Sequence, residues 1–221
     1  MKQHLTAGVI RVITLQNKES AEVHARLIEK FVPSLHTKTV CLPDQPTGVH
    51  NAETEAQAEA KILQTARELG NVDVVILSCA GDPGLDILQS ELNIPVIGAG
   101  SAAAALCTYY GNRPGILGIT DEPPTPFRRA FGGRLINLGR PAGVSCTLDL
   151  LTEQGEKSVM AHAHKLKEAG ADCIALACTG MGAIRIGPRI AQSCGLPVID
   201  PIMAEAVMAY YACLQEEANR I

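Results

Sequence analysis

Two cysteines occupy matching places in the sequence, and both are candidates for acid–base chemistry. Cys79 ends the apolar run in VVILSCAGDPG, and Cys178 ends the one in CIALACTGMG. Each is followed two positions later by a glycine, Gly81 and Gly180. A free thiol has a pKa of about 8.5, and proximity to a helix N-terminus lowers it. We therefore expect each thiol to lie at the end of a strand, beside a turn that leads into a helix and favours the thiolate.

A facing pair of such thiols suits the inversion of a carbon next to a carbonyl. One thiolate removes the proton from one face, and one thiol donates a proton to the opposite face. Backbone N–H groups in the two turns, at Ala80, Gly81 and Gly180, are placed to hold an oxyanion or a carboxylate of the substrate. This chemistry needs neither a metal nor pyridoxal phosphate, and the sequence has no evident site for either. We therefore expect a small-molecule substrate, no cofactor and no metal.

The cysteines belong to an internal repeat within an alternation of short strands and helices. Asp73 and Asp172 each lie six residues before a cysteine, and each cysteine segment leads through a helix to a P-V-I strand, at 95–97 and 197–199. Each of those strands runs into an alanine-rich helix. The alternation predicts parallel sheets covered by helices.

The predicted fold class is therefore α/β, with two similar lobes related by a pseudo-two-fold axis. We expect each lobe to hold a mostly parallel sheet of about four strands flanked by helices, with RLINLG as one strand of the second. Ligands of parallel sheets bind beyond the carboxyl ends of the strands. The active site is accordingly expected in the cleft between the lobes.

Composition and charge exclude several other classes of function. The 221 residues are 47% hydrophobic and 19% charged, with a net charge of -4 and no dense cluster of Lys or Arg, so a nucleic-acid partner is not expected. The apolar runs are far shorter than the roughly 20 residues of a membrane span, and the N-terminus is not typical of a signal peptide. Eight cysteines without a C-x-x-C pair suit a reducing compartment. We expect a cytoplasmic homo-oligomer that binds no membrane.

The ordered set SCAGDPG, LACTGMG, the two P-V-I strands and GILGIT resembles the aspartate/glutamate/hydantoin racemase superfamily along essentially the whole chain. The resemblance implies cofactor-independent racemisation by Cys79 and Cys178 in a cleft between two α/β domains. It also implies substrate-binding positions at Thr179 and Thr120. In related folds the last helix packs back on the first domain. The expected domains are therefore residues 1–98 plus 201–221, and residues 99–200.

Two polar residues extend the expected site. The turn after the first strand reads IRVIT, where hydantoin racemases carry an Asn-Pro-Asn-Thr-like turn and amino-acid racemases a Gly-rich or acidic one. Arg11 in this segment is a candidate for bidentate binding of a substrate carboxylate, the alternative being a surface or interdomain arginine on a strand edge. Asp44, in LPDQP, is expected on a loop of the cleft, with a simple turn residue as the alternative.

The predicted function is a racemase or epimerase that inverts a carbon next to a carbonyl in an amino acid or a derivative such as a hydantoin. GDPG after Cys79 is closer to hydantoin racemases than to glutamate racemases. A maleate isomerase uses two cysteines on the same scaffold, whereas an arylmalonate-type decarboxylase keeps essentially one. A non-catalytic binding protein would leave the repeated cysteines without a role.

A dinucleotide-binding oxidoreductase is the remaining alternative. The turn IPVIGAGSAA contains G-x-G-x-x-A from Gly98, with Asp121 about 20 residues further on, as an NAD-binding fingerprint would. The equivalent turn of the second copy, LPVIDPIMAEA, lacks both glycines. Because the repeat keeps the architecture without the glycines, phosphate binding is not the shared function of this turn.

Overall fold

The chain forms two parallel β-sheets, one from each half of the sequence, in the computed structural model, which describes residues 5–219. Residues 1–4 and 220–221 of the expected first lobe lie outside the described residues. The strands are β1 (Leu5–Arg11), β2 (Leu35–Cys41), β3 (Val74–Ser78), β4 (Val96–Gly98), β5 (Pro114–Leu117), β6 (Cys173–Leu176) and β7 (Val198–Ile199). The helices are α1 (Lys18–Ala21), α2 (Val23–Phe31), α3 (Ala52–Arg67), α4 (Leu85–Glu91), α5 (Ala99–Tyr110), α6 (Thr125–Phe131), α7 (Glu153–Glu168), α8 (Thr179–Ala183), α9 (Gly187–Cys194) and α10 (Pro201–Ala218).

The sheets have the orders β2-β1-β3-β4 and β5-β6-β7, and every strand pair named here is parallel. Every residue of β3 and of β6 is buried, as expected when helices cover both faces of a parallel sheet. The predicted α/β class with helix-flanked parallel sheets is confirmed.

The second sheet has three strands rather than the expected four, because RLINLG does not extend alongside β5. Within that segment only Ile136 is buried, and it forms a single bridge to Gly115. Its N–H donates to the carbonyl of Pro114, and its carbonyl accepts from the N–H of Ile116. Leu135 before it is half-buried against a core cluster and donates its N–H to the carbonyl of Gly132, and Asn137 after it is exposed, so neither residue extends the ladder.

The two aspartates of the sequence repeat have the same structural role. The carboxylate of Asp73 accepts a hydrogen bond from the N–H of Thr6, at the start of β1. The carboxylate of Asp172 accepts from the N–H groups of Asn112 and Arg113, just before β5. Each aspartate therefore fixes its cysteine strand against a neighbour at the end opposite the cysteine.

The last helix returns to the first sheet. Ile202, Ala206, Ala209 and Cys213 of α10 are buried in one cluster with residues of β1, β2, β3 and α2. On its other side α10 contacts α5, which follows β4 as α10 follows β7. This packing agrees with a first lobe that includes the C-terminal helix. The limits 1–98 plus 201–221 and 99–200 stay a prediction.

Among residues 5–219, none of the helices combines the length and the apolar character needed to cross a bilayer.

Candidate active site

A cavity of about 500 Å³ opens where the carboxyl ends of β1, β3 and β6 meet. Cys79 lies directly after β3, and Cys178 follows β6 by two residues. Both line this one cavity, together with the two glycines of the repeat. The predicted site residues that line it are Arg11, Ala80, Gly81, Thr120, Thr179 and Gly180.

Cys178 is surrounded by hydrogen-bond donors. It is the N-cap of α8, and its side chain is only 7% exposed. The hydroxyl of Thr147 lies 4.0 Å from its Sγ. The N–H groups of Gly180 and Met181 and the Arg11 cation oppose the effect of burial, which raises the pKa of the Cys178 thiol.

Cys79 has a less favourable setting for a negative charge. Burial raises the pKa of its thiol to about 12, against the opposing hydrogen bond from the N–H of Gly81. The nearby carboxyl groups of Asp82 and Glu55 add to this rise in pKa, as does the second thiol, Cys178. The two cysteines are thus close enough to affect each other's charge.

The expected lowering of both thiol pKa values is wrong. Burial outweighs the hydrogen bonds at both sulfurs, because removing a thiolate from water costs more than a few N–H donors return. In addition, α4 after Cys79 is separated from it by the turn 80–84, so its N-terminus does not adjoin the thiol.

Arg11 lies at the cavity, and one nitrogen of its guanidinium group is bonded within the protein. It ends β1, an interior strand between β2 and β3, and is 8% exposed rather than sited on a surface edge. Its Nη1 donates to the carbonyls of Ser20 (3.2 Å) and Ala21 (2.8 Å). Both N–H groups of Nη1 are thereby used within the protein, and bidentate binding of a substrate carboxylate through the Nε and Nη2 edge of Arg11 stays a prediction. Burial lowers the pKa of Arg11, opposed chiefly by Cys41, Glu205 and Cys178.

Asp44 does not line the cavity and takes the alternative role of a turn residue. It is exposed, has a positive φ of 49°, and its carbonyl accepts from Lys61 Nζ on α3. Asp and Asn tolerate this left-handed conformation better than most residues. The loop that Asp44 begins does reach the cavity, but through residues 48–52 rather than through Asp44.

The side chains of the two predicted threonines donate hydrogen bonds to backbone carbonyls of the site. Thr120 Oγ1 donates to the carbonyl of Glu122 (2.7 Å) and so shapes the loop after β5. Thr179 Oγ1 donates to the carbonyl of Ser78 (3.4 Å), joining α8 of the second half to β3 of the first. This bond links the segments that carry the two cysteines.

A buried polar network behind Cys79 was not foreseen. His24 Nδ1 lies 2.7 Å from Ser78 Oγ, and Ser78 Oγ donates to Glu205 Oε1 over 2.6 Å. All three side chains are almost fully buried, and burial raises the pKa of Glu205 well above its usual range while lowering that of His24. Of the three, only Ser78 lines the cavity. A glutamate on the apolar face of α10, between Ile202 and Ala209, is the signal in the sequence that could have found it.

Charged and polar residues lie around the mouth of the cavity. Glu55 comes from α3, which begins at a capping box formed by Asn51 and Thr54, and Arg128 comes from α6 in the other half. Arg128 opposes the rise in the pKa of Glu55 that burial and Glu59 cause, so these two charges interact across the opening.

The glycine turn that resembled a dinucleotide fingerprint is already occupied by a carboxylate. Asp82 Oδ1 accepts from the N–H of Gly100 (2.8 Å), and its Oδ2 accepts from the N–H (2.7 Å) and hydroxyl (2.6 Å) of Ser101. A Cβ at Gly98 would lie 2.4 Å from the Asp82 carboxyl carbon. The glycine makes room for Asp82, and the donors that would hold a phosphate are used within the protein.

Within the part of the chain that the structure describes, no group of three or more His, Cys, Asp and Glu side chains is arranged to hold a metal ion.

Comparisons with known proteins show which family and which folds this chain is similar to. A family model described as Asp/Glu/Hydantoin racemase matches residues 17–209. A hydantoin racemase of Paenarthrobacter aurescens is 27% identical over 150 residues, which span 62% of this chain and 60% of that protein. The match thus spans less than two thirds of that relative's length.

Two solved structures have the same fold. The allantoin racemase from Klebsiella pneumoniae superposes with a TM-score of 0.80 at 24% identity, covering 96% of this chain and 89% of that one. A mutant of arylmalonate decarboxylase in a liganded form superposes with a TM-score of 0.69 at 16% identity, covering 95% and 92%. Proteins named as a racemase and as a decarboxylase therefore share this fold, so the fold alone does not decide between the two reactions.

Proposed function

Because the chain belongs to the Asp/Glu/hydantoin racemase family, we propose that it is a cofactor-independent racemase that inverts a carbon next to a carbonyl by means of Cys79 and Cys178. The observation that carries the proposal is the placement of both repeated cysteines on one cavity. Each comes from the carboxyl end of a strand in a different sheet. A structural role for either thiol would not require that they share a cavity.

The proposed reaction moves one proton at each face of the substrate. A thiolate removes the α-proton and becomes a thiol, and the opposite thiol gives its proton to the other face and becomes a thiolate. The negative charge that develops on the carbonyl oxygen is held by backbone N–H groups of the cysteine turns, at Ala80 and Thr179. Thr179 opens α8, so its N–H has no partner within the helix.

Burial of the thiols is compatible with this mechanism. Both thiols are predominantly protonated at neutral pH, because burial raises both pKa values. The reactive form is a minor population that carries a single thiolate. Its low abundance lowers the rate, whereas its poor solvation makes the anion more basic toward a carbon acid.

We propose a neutral cyclic amide of the hydantoin type as the substrate class. A free amino acid brings a carboxylate, and the one buried arginine of the wall donates Nη1 to the carbonyls of Ser20 and Ala21. The other arginine, Arg128, is exposed at the mouth and faces Glu55. A hydantoin ring brings no permanent charge, and its carbonyls match the backbone donors of the turns. A hydantoin racemase is also among the curated relatives.

The same-scaffold alternatives are a maleate-type isomerase and a decarboxylase. The presence of both cysteines favours a two-thiol reaction over an arylmalonate-type decarboxylation. The NAD-dependent alternative is disfavoured by the Asp82 carboxylate at the glycine turn.

We also propose that the protein acts as a homo-oligomer in the cytoplasm. Met203, Val207 and Tyr211 form an exposed apolar stripe on α10, which supports association of copies. The eight free cysteines suit a reducing compartment.

The test is incubation in deuterated water with three compounds in separate reactions. Two are single enantiomers, of a 5-substituted hydantoin and of the corresponding free amino acid, and the third is an arylmalonate. We expect the hydantoin to lose optical activity and to gain deuterium at its stereocentre. Release of carbon dioxide from the malonate would support the decarboxylase instead. Racemisation of the amino acid but not of the hydantoin would contradict the proposed substrate class and leave the two-thiol reaction in place.

A further inference from the structure

The two thiols of the site are not equivalent, although the sequence repeat makes them look so. Cys178 Sγ has three donors at hand: the Thr147 hydroxyl at 4.0 Å and the N–H groups of Gly180 and Met181. Gly180 brings its backbone especially close, since a Cβ there would lie 3.4 Å from Cys178 Sγ. Cys79 Sγ has the N–H of Gly81 as its hydrogen-bond donor.

The charges around the two sulfurs differ in sign. Arg11 from β1 faces Cys178 and favours a negative charge there. Glu55, from α3, lines the cavity with Cys79, and Asp82 lies three residues after Cys79 with its carboxylate bonded to Gly100 and Ser101; both negative charges disfavour a thiolate at Cys79. The mutual effect of the thiols also resists a second thiolate, so the pair carries at most one negative charge.

We infer that the active form of the enzyme, before substrate binds, carries its thiolate on Cys178 and its thiol on Cys79. This inference rests on the proposed two-thiol reaction and assigns the starting role of each group. Cys178 removes the α-proton, and Cys79 S–H delivers its proton to the opposite face of the carbon. When the product departs, Cys178 is a thiol and Cys79 is a thiolate. This protonation state of the pair is the less stable one. One proton must pass from Cys178 to Cys79, by way of solvent, to restore the starting form.

Steady-state kinetics cannot reveal this asymmetry. The two enantiomers of a substrate with one stereocentre have equal free energies, so kcat/KM must be the same in both directions. The protonation of each sulfur has to be measured without turnover.

The experiment is site-resolved alkylation of the intact enzyme with iodoacetamide over a range of pH, read by peptide mass spectrometry. The midpoint of each rate profile reports the thiolate, whereas the plateau reports access to the sulfur. We expect Cys178 to have the lower midpoint although it is the more buried of the two. A difference of about one pH unit corresponds to about a tenfold difference in thiolate fraction at neutral pH.

Variants identify the charges responsible. Arg11→Gln should raise the Cys178 midpoint by about one unit and leave that of Cys79 nearly unchanged, whereas Arg11→Lys, which keeps the charge, should stay near wild type. Glu55→Gln, at the cavity mouth, should lower the Cys79 midpoint by less than about one unit and leave the Cys178 midpoint unchanged. The Glu55 variant keeps the test open if Arg11→Gln fails to fold.

The inference would be overturned if Cys79 had the lower midpoint. It would also be overturned if the two midpoints were equal and neither Arg11→Gln nor Glu55→Gln shifted them. Failure of the proposed function looks different. In that case no substrate exchanges its proton, but the order of the two midpoints stays as stated.

Discussion

Gly180→Ala should disturb the second cysteine far more than Gly81→Ala disturbs the first. A Cβ at Gly180 would lie 2.5 Å from Thr147 Cγ2 and 3.2 Å from Leu150 Cδ1. A Cβ at Gly81 would find its nearest atoms, Cys79 Sγ and Pro83 Cδ, at 3.9 Å, an ordinary contact. Both glycines occupy the same place after their cysteine, so the pair forms a matched control.

The expected magnitudes follow from that contact. Thr147 must retreat by roughly 0.9 Å to reach an ordinary carbon–carbon separation, and its hydroxyl moves away from Cys178 Sγ with it. Overpacking of this kind costs about 1–3 kcal/mol, partly offset by about 1 kcal/mol from replacing a helical glycine by alanine. Misplacement of a group in the site by about 1 Å costs on the order of 10²-fold in rate. We therefore expect a racemisation rate reduced about 10- to 100-fold in Gly180→Ala and changed less than about 3-fold in Gly81→Ala.

The assay is loss of optical rotation of a single hydantoin enantiomer, together with urea unfolding of each variant. Thr147→Ser provides a rescue, because it deletes Cγ2 and keeps the hydroxyl. The double variant Gly180→Ala with Thr147→Ser should recover most of the lost rate. The reasoning is refuted if Gly180→Ala is as active as wild type, if Gly81→Ala is equally impaired, or if the serine rescues nothing.

Two further predictions concern buried carboxyl groups. Asp82→Asn should lower the free energy of unfolding by about 1–3 kcal/mol in urea titrations, because an amide nitrogen cannot accept the bonds from Ser101; a change within about 0.5 kcal/mol would contradict this role. Glu205→Gln tests a pH dependence: since burial raises the pKa of Glu205, its carboxyl group favours the folded state at low pH and loses that contribution as pH rises above about 4.3. The stability of wild type relative to Glu205→Gln should therefore fall with increasing pH, and a difference independent of pH would show that Glu205 does not titrate between the two states.

The sequence predicted the parts of the site that depend on local pattern. A buried strand that ends before a glycine turn shows in the order of residue types, so both cysteines and the repeated aspartates could be placed at opposite ends of the same strands. Parallel strands bring their carboxyl ends to one edge, which is why the position of Ala80 at the cavity followed as well. The position of Thr179 followed from the resemblance to the racemase family.

Features that depend on partners distant in sequence were missed. Ser78 and Glu205 are 127 residues apart, and the orientation of Asp82 toward Gly100 depends on how the turn after Cys79 crosses the start of α5. Arg11 could be placed at the cleft, but the carbonyls that hold its Nη1 belong to Ser20 and Ala21 of α1, and the sequence pattern does not show that this short helix packs against β1. The pKa values followed burial, which the sequence does not give.

The central claim is that the two cysteines face opposite sides of one carbon, and hydrogen–deuterium exchange by the single Cys→Ser variants tests it most directly. A serine hydroxyl is far too weak an acid to replace the thiol, so neither variant should racemise a hydantoin. Each keeps one thiol that still faces the substrate, so Cys79→Ser should exchange the α-proton of one enantiomer and Cys178→Ser that of the other, in deuterated water and without inversion. Exchange of the same enantiomer by both variants, or racemisation at the wild-type rate by either, would contradict the account.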